Sequence, residues 1–399
     1  MTIMTLAEES KRQGGFYVPG FEVHIEGARL PQDVLRDVIQ ITYKDGIKEI
    51  DSFELTVNNW DSSIKSFKYV GSETPRSLKE NPLHRLFEPC RKEVKVLMGY
   101  MGDLRVMVTG HFTSMKPNFP SSGASTLTVL GLNVLHRLRN GQRTTTWKNK
   151  TDSEIARQIG TLHDQNGKKR FPFPIDIDET AKNHEPELEY LTQNNQYDID
   201  FLFGRTRERG YVVFVQEADK KVRGSKSRLY FGPSDGAKIP GLRDVTFKLE
   251  WGKSLIDFKP LLSTARQVQS VTVHHWDRRT RQPIKEKVTL QDSRFDCNRD
   301  LYELLQGCDL QEEIITDEPV FTRKQARERA FAILSDRLKE LVTVSGTSIG
   351  LPDLRAGQRV QIDGLGARFN GMYFITDTTH EIGDGGYITR FNARRENCK

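Results

Sequence analysis

The sequence predicts a mainly β fold with an α+β insert: two similar small β-barrels, a mixed α/β middle domain and one long amphipathic helix. Three observations carry this. Apolar and polar residues alternate with a period of two over many short stretches separated by Gly, Pro, Asn and Asp. From about residue 140 to 254 helical spacing interrupts that alternation. Ahead of the last stretch, a helix-start signal at Thr322 opens a run with one apolar stripe.

Residues 1–18 are polar and glycine-bearing and predict a flexible arm. Residues 19–139 predict the first barrel. Phe21, Val23 and Ile25 share a face, DVIQITYKDG continues the strand habit to a turn at Lys44-Asp45-Gly46, and Phe53, Leu55 and Val57 point inward from the next strand. A polar interval from Asn58 to Glu88, with Pro75 and Pro82, predicts an excursion from the sheet. Strands resume at VKVLMGY, LRVMVTGHFTSM and STLTVLGLN.

Residues 140–254 predict the mixed α/β domain. Thr151 and Glu154 form a capping box before Ile155, Ile159 and Leu162 on one helical face. A second helix is expected from about Glu185 to Gln193. A third begins near Asp198, carries Phe201 and Leu202, and stops at Gly210 before the buried strand YVVFVQ.

Residues 255–399 predict the second barrel, with a polar insertion at 278–320, a short helix near Asp300–Leu305, and a helix at 322–342 whose buried stripe is Ala326, Ala330, Leu334, Leu338 and Leu341. Near its end, Val360 and Ile362 lie on one strand, and Tyr373 and Ile375 on another. Glycines make the corners, and Gly357 is placed to take a positive φ. No repeat is visible at the level of residues.

At 399 residues, with 29% charged and 36% hydrophobic, the chain has material for about two to four domains. Sixty basic residues against 54 acidic ones leave a net charge of +6, mild for this length, which argues against a dedicated nucleic-acid binder. Cys90, Cys297, Cys308 and Cys398 show neither CxxC pairs nor disulfide-dense spacing, which argues for a reduced, cytoplasmic origin and against structural zinc. No signal peptide and no membrane span is expected.

Each candidate for chemistry has a plainer reading. Gly364 and Gly366 begin a dinucleotide-loop string, but Phe369 holds the third glycine's place, so no cofactor is expected. Gly346-Thr347-Ser348-Ile349-Gly350 fits a nucleophile elbow, yet barrel strands follow it, leaving Ser348 as a loop serine. Asp176 and Asp178 are expected on one strand face about 7 Å apart, a spacing an inverting glycosidase can use. With Glu185, Glu187 and Glu189 nearby, the plainer reading is a solvated face and a helix N-terminus. His274, His275, Trp276 and Asp277 have a metal-like composition, but adjacent strand residues face opposite ways, and His380 is assigned no chemistry. The basic clusters Lys168-Lys169-Arg170, Lys220-Lys221-Arg223 and Arg278-Arg279-Arg281 are dispersed and lack stacking aromatics. No catalytic, cofactor or metal residue is assigned.

Three places together resemble the phage late-control protein D family, the baseplate hubs of contractile tails, similar to the N-terminal hub region of VgrG proteins. They are Asp51-Ser52-Phe53-Glu54-Leu55-Thr56-Val57; Gln193-Asn194-Asn195-Gln196-Tyr197-Asp198 with Phe201-Leu202 and Arg209-Gly210-Tyr211; and Leu354-Arg355-Ala356-Gly357 with Phe369-Asn370-Gly371-Met372-Tyr373-Phe374-Ile375 and His380. The resemblance implies tudor-like barrels, two per subunit, in a homotrimer that imitates sixfold symmetry and joins a sixfold tail tube to a threefold spike. It implies no enzymatic activity. It implies as partners a separate spike protein, a tail tube or tube-initiator protein, a tape measure protein or cargo, and other baseplate proteins, within a phage tail or extracellular contractile injection particle. The rival readings are a cell-wall hydrolase using Asp176 and Asp178, and a nucleic-acid-binding tail component.

Overall fold

A computed structural model describes residues 2–12, 18–90, 92–163, 167, 169–218, 226–234, 245–277, 280–292, 295, 299–317 and 320–395. The chain opens with β1 (Thr2–Thr5) and α1 (Leu6–Arg12). A first group follows: β2 (Pro19–Ile25), β3 (Ala28–Arg29), α2 (Gln32–Asp37), β4 (Val38–Gly46), β5 (Ser52–Asn58), an excursion with β6 (Trp60–Asp61), β7 (Ser66–Phe67) and α3 (Ser77–Glu80), then β8 (Glu93–Tyr100), β9 (Asp103–Asn118) and β10 (Thr126–Asn133). The middle region holds β11 (Arg143–Lys150), α4 (Asp152–Gly160), β12 (Ile175–Ile177), α5 (Glu179–Lys182), β13 (Leu188–Gln196), α6 (Asp198–Arg209), β14 (Tyr211–Gln216) and β15 (Arg228–Pro233). A second group closes the chain: β16 (Val245–Glu250), β17 (Leu255–Leu262), β18 (Ser270–Asp277), β19 (Gln282–Thr289), α7 (Arg299–Gln306), β20 (Glu312–Ile315), α8 (Arg323–Lys339), β21 (Val342–Ile349), β22 (Arg359–Asp363), α9 (Gly366–Phe369), β23 (Gly371–Gly383) and β24 (Gly386–Arg394).

The fold is mainly β. Both groups belong to one 14-stranded sheet, which is joined between them by the antiparallel pair β4 and β23. Among the described residues neither group closes into a barrel by hydrogen bonding.

Each group repeats the same plan. Numbering six strands of each in chain order, β2, β4, β5, β8, β9 and β10 against β16, β17, β21, β22, β23 and β24, both have the spatial order first, fourth, fifth, sixth, third, second. The likeness extends to register. The ladder of β9 with β10 skips Thr113, and that of β23 with β24 skips Thr376. From the residue after each bulge, partners run Ser114 to Leu130 to Glu54 to Thr42 in the first group. In the second they run Asp377 to Asn392 to Ser345 to Lys259. Thr42 lies three residues beyond a second bulge at Ile39, and Lys259 three beyond one at Ile256. Two bulges at matching points, reached independently across three ladders, mark a duplicated architecture. The first strand departs from it, since β2 is antiparallel to β8 and β16 parallel to β22.

The alternation read from sequence is borne out where one face is buried: Phe53, Leu55 and Val57 lie in the first core, and Val360, Ile362, Tyr373 and Ile375 in the second. Phe374, on the opposite face, is buried too, in a smaller cluster with Ile47, Val212, Phe214, Tyr230 and Ala356 where the middle region packs on the sheet. Thr151 and Glu154 make their reciprocal capping box. Gly210 ends α6 at φ +68°. Ala326, Ala330, Leu334, Leu338 and Leu341 are buried.

Several expectations are corrected. Residues 2–12 run as strand and helix, β1 pairing in parallel with β16, because an open sheet edge supplies backbone partners that a free arm lacks. The segment expected as a helix from Glu185 to Gln193 is the strand β13, paired with β11. Asp45 and Gly46 are not a turn but the end of β4, paired with Thr378 and Asp377. The polar insertion contributes β19 and β20 to a three-stranded sheet with β18, and α8 packs on β18 and β19. At α8, Thr322 accepts from the Gln325 N–H, but the Gln325 side chain accepts from Phe321 rather than Thr322.

Candidate functional site

The most concentrated chemistry in the molecule is a buried polar network where both groups and the middle region meet. Ile41, Tyr43 and Asp45 alternate on the inward face of β4, so a carboxylate stands in a row otherwise reserved for the core. Opposite it, the corner Leu354-Arg355-Ala356-Gly357 approaches from the second group. Gly357 adopts φ +85°, and a Cβ there would lie 2.5 Å from the Phe214 ring, so conformation and packing both require glycine.

Arg355 uses its guanidinium in three directions. Nε donates to Asp45 Oδ2 at 2.7 Å, and Nη2 donates to the Tyr43 hydroxyl at 2.5 Å and the Met107 carbonyl at 2.8 Å. Its Cζ lies 4.6 Å from the centre of the Tyr43 ring. Asp45 also accepts from the Ala356 N–H at 3.3 Å and from the Thr378 hydroxyl. Behind this pair, Asp51 accepts from Asn133 Nδ2 at 2.6 Å, the Tyr43 hydroxyl at 3.3 Å and the Gly46 N–H at 3.4 Å. From the middle region, Glu217 accepts from the Thr109 N–H at 3.0 Å and the Ser227 hydroxyl at 2.7 Å.

The charges are set by burial and by each other. Burial alone lowers the proton affinity of Arg355, but Tyr43 and Asp45 more than offset this and hold it protonated. Burial, reinforced by Asp45 and opposed by Arg355 and Asn133, pushes Asp51 up to about 8. Burial also raises Glu217, against its hydrogen bonds from Ser227 and Thr109. His380 is fully buried and pushed down to about 3, chiefly by burial. It is therefore neutral: Nε2 donates to the Leu354 carbonyl at 3.1 Å, while Nδ1 accepts from the Tyr387 hydroxyl at 3.0 Å and the Thr389 hydroxyl at 3.1 Å.

This arrangement is a clamp. It holds no exposed nucleophile, and its one guanidinium ties segments more than 300 residues apart into one unit. Arg355 was visible in sequence only as part of a motif. Asp45 carried a usable signal, an acid in register with Ile41 and Tyr43.

The sequence-selected residues fall elsewhere. Asp176 sits on β12 and pairs with Arg228 at 2.5 Å, whereas Asp178 leaves the strand to cap α5, accepting from the Ala181 N–H at 2.9 Å. The expected single face is thus broken, because the helix N-terminus takes Asp178. Glu185 accepts from the Ser153 N–H and hydroxyl at 2.9 and 2.5 Å, while Glu187 and Glu189 are exposed. Ser348 is a buried residue of β21, not a loop serine, and donates to the Ile349 carbonyl at 2.9 Å. The flanking glycines make room for rings: a Cβ would lie 2.5 Å from Phe391 at Gly346 and 2.0 Å from Tyr387 at Gly350. His274 is exposed on β18, and the His275 ring lies 6.5 Å from that of Phe321. No cluster of His, Cys, Asp and Glu suited to a metal occurs among the described residues. Tyr17, Cys297, Cys398, Lys168, Lys220, Lys221, Arg223, Arg278 and Arg279 lie outside the described residues. Among those described, no helix is long and apolar enough to cross a membrane.

With this geometry established, comparison places the chain among known proteins. Residues 17–384 match the family described as the Alg8 N-terminal domain. The chain belongs to this family. Solved structures share the fold of this Alg8 N-terminal domain member over nearly its whole length. It is similar to a 43 kDa tail protein of prophage MuSo2 from Shewanella oneidensis, at 13% identity and a TM-score of 0.62, covering 95% of this chain and 99% of the other. A tail protein from Neisseria meningitidis shows 12% identity and a TM-score of 0.61, covering 95% and 97%. An E. coli component of the type VI secretion system, itself similar in structure to T4 bacteriophage tail proteins, shows 15% identity and a TM-score of 0.55, covering 93% and 76%. At these identities the likeness is one of fold. No curated protein matches the sequence.

Proposed function

We propose that this protein is a structural, non-enzymatic baseplate hub of a contractile phage tail or related injection machine, of the late-control protein D and VgrG kind. Three copies form a ring that joins a sixfold tail tube to a threefold spike. The observation that carries this reading is the duplicated strand order, with its two matching bulges. A ring of three identical chains offers six like docking surfaces only if each chain supplies two, and the two groups of one strand plan are suited to that. The fold shared with phage tail and type VI secretion proteins supports the same reading.

The work is mechanical. The clamp around Arg355 fixes the two groups relative to each other, as a part that transmits load between tube and spike requires. The partners are a separate spike protein, the tube or its initiator, a tape measure protein or cargo, and neighbouring baseplate proteins. Mass measurement of the purified chain with and without its spike tests this. Three copies are expected, and a monomer at every concentration with spike present overturns the reading. Peptidoglycan hydrolysis lost in Asp178→Asn would overturn its non-enzymatic part.

A further inference from the structure

The intrachain joint predicts which edges meet between chains. Within the chain, β4 of the first group pairs with the second half of β23, matching Thr42 with Glu381, Tyr43 with His380 and Lys44 with Thr379. The duplicated register converts each partner into its counterpart. Thr42 corresponds to Lys259 on β17, and Glu381, four residues beyond Asp377, corresponds to Asn118, four beyond Ser114. Among the described residues, β17 pairs only with β21, and the stretch of β9 beyond Phe112 pairs only with β10. The counterparts of the two joined edges are thus both open among the described residues.

Open edges are a hazard that folded proteins cover or blunt. Both edges carry apolar residues in solvent: Ile256 and Leu261 are each 60% exposed on β17, and Phe119 is 51% exposed just past β9. Both also carry a proline, and the register sets Pro117 opposite Pro260, where the intrachain joint has His380 opposite Tyr43. Proline has no N–H to give, so a ladder between these edges lacks its central bonds. Neither edge alone is therefore an indiscriminate template for strand addition.

We propose that β17 of one copy docks antiparallel against the second half of β9 of the next, with Lys259 facing Asn118 and Leu261 facing Lys116. The occupant of each open edge is a second copy of this chain. The joint rests more on buried side chains than its intrachain counterpart does, because of the facing prolines. This inference rests on the ring reading above and adds the edges and register by which the ring closes.

The test is a Lys116→Cys, Leu261→Cys double variant of the full chain, with Cys90, Cys297, Cys308 and Cys398 changed to serine, oxidised and run without reductant. The single-cysteine variants serve as controls, and mass measurement under reducing conditions gives the oligomeric state. The expected result is a trimer by mass that becomes covalent in the double variant and in neither single variant. A trimer by mass that forms no double-variant crosslink overturns the edge assignment and leaves the ring intact. A monomer overturns both. In a separate measurement, Leu261→Asp, at an exposed position, is expected to weaken association roughly tenfold or more without lowering the thermal midpoint of the monomer. Unchanged association overturns the assignment.

Discussion

Arg355 Nε and Asp45 Oδ2 are 310 residues apart in the chain and 2.7 Å apart in space. The contact joins the two halves of the duplicated sheet where the middle region also packs, so its loss is felt by all three.

Replacing Arg355 by Met leaves Asp45 buried without its cation, a class of change that costs about 3–5 kcal/mol. Arg355→Lys keeps the charge but cannot reach Asp45, Tyr43 and the Met107 carbonyl at once, and an intermediate loss is expected. Denaturant titration of both variants checks the order, and a Lys variant as damaged as the Met variant contradicts the role given to the positive charge.

The network also predicts a pH profile. Asp51, raised to about 8 from 3.8, binds its proton more tightly in the folded state, so its contribution falls as pH rises through that window. Glu217 is raised and acts with the same sign. His380, lowered from 6.5 to about 3, contributes stability that is present above 6.5 and lost as pH falls towards 3. The slopes oppose each other below about pH 6.5, and only the carboxyl slope remains above it. Asp51 and His380 therefore cancel from about pH 4.5 to 6.5, where any net fall in the thermal midpoint comes from Glu217, and Asp51 makes the midpoint fall from 6.5 to 8. Asp51→Asn should reduce that fall. A midpoint that rises over this interval refutes the assignment.

In the middle region Asp152 is fully buried and bound by Arg205 and Arg209, whose charges outweigh the effect of burial and keep its pKa low. Asp152→Ala takes the carboxylate from Arg209, leaves Arg205 with Glu208 alone, and should cost about 3–5 kcal/mol. Trp147, buried in the same core, reports the transition by fluorescence. An unchanged midpoint would show that the pair contributes nothing net.

Gly357→Ala introduces two faults, a Cβ at φ +85° and a contact with the Phe214 ring. The backbone part costs about 1–2 kcal/mol and the overpacking about 1–3 more. Combining it with Phe214→Leu should recover the steric part alone. Strict additivity of the two substitutions would show that the ring contact has no role.

Where burial falls on one face, the sequence was a sufficient guide. The alternation of Phe53, Leu55 and Val57, the capping box at Thr151 and the stripe of α8 are short-range patterns. The misread element, β13, fails for the same reason inverted. Leu188 and Leu191 sit at helical spacing, but the strand is largely exposed and is decided by pairing with Arg143–Lys150. The candidate site was half legible: the Leu354-Arg355-Ala356-Gly357 corner stood out, while Asp45-Gly46 looked like a turn because their partners, Thr378 and Asp377, come more than 300 residues later.

The amino-acid order alone determined the β-rich class, the helix caps and the glycine corners, because each depends on neighbours within a few positions. The strand order, register and bulges of the duplication were decided only by tertiary structure. Leu55 faces Val129 in one group, while Gly346 faces Phe391 at the matching place in the other. Two branched aliphatics fill the place in one group and a ring lying against a glycine fills it in the other, so register and bulges persist where residue identity does not.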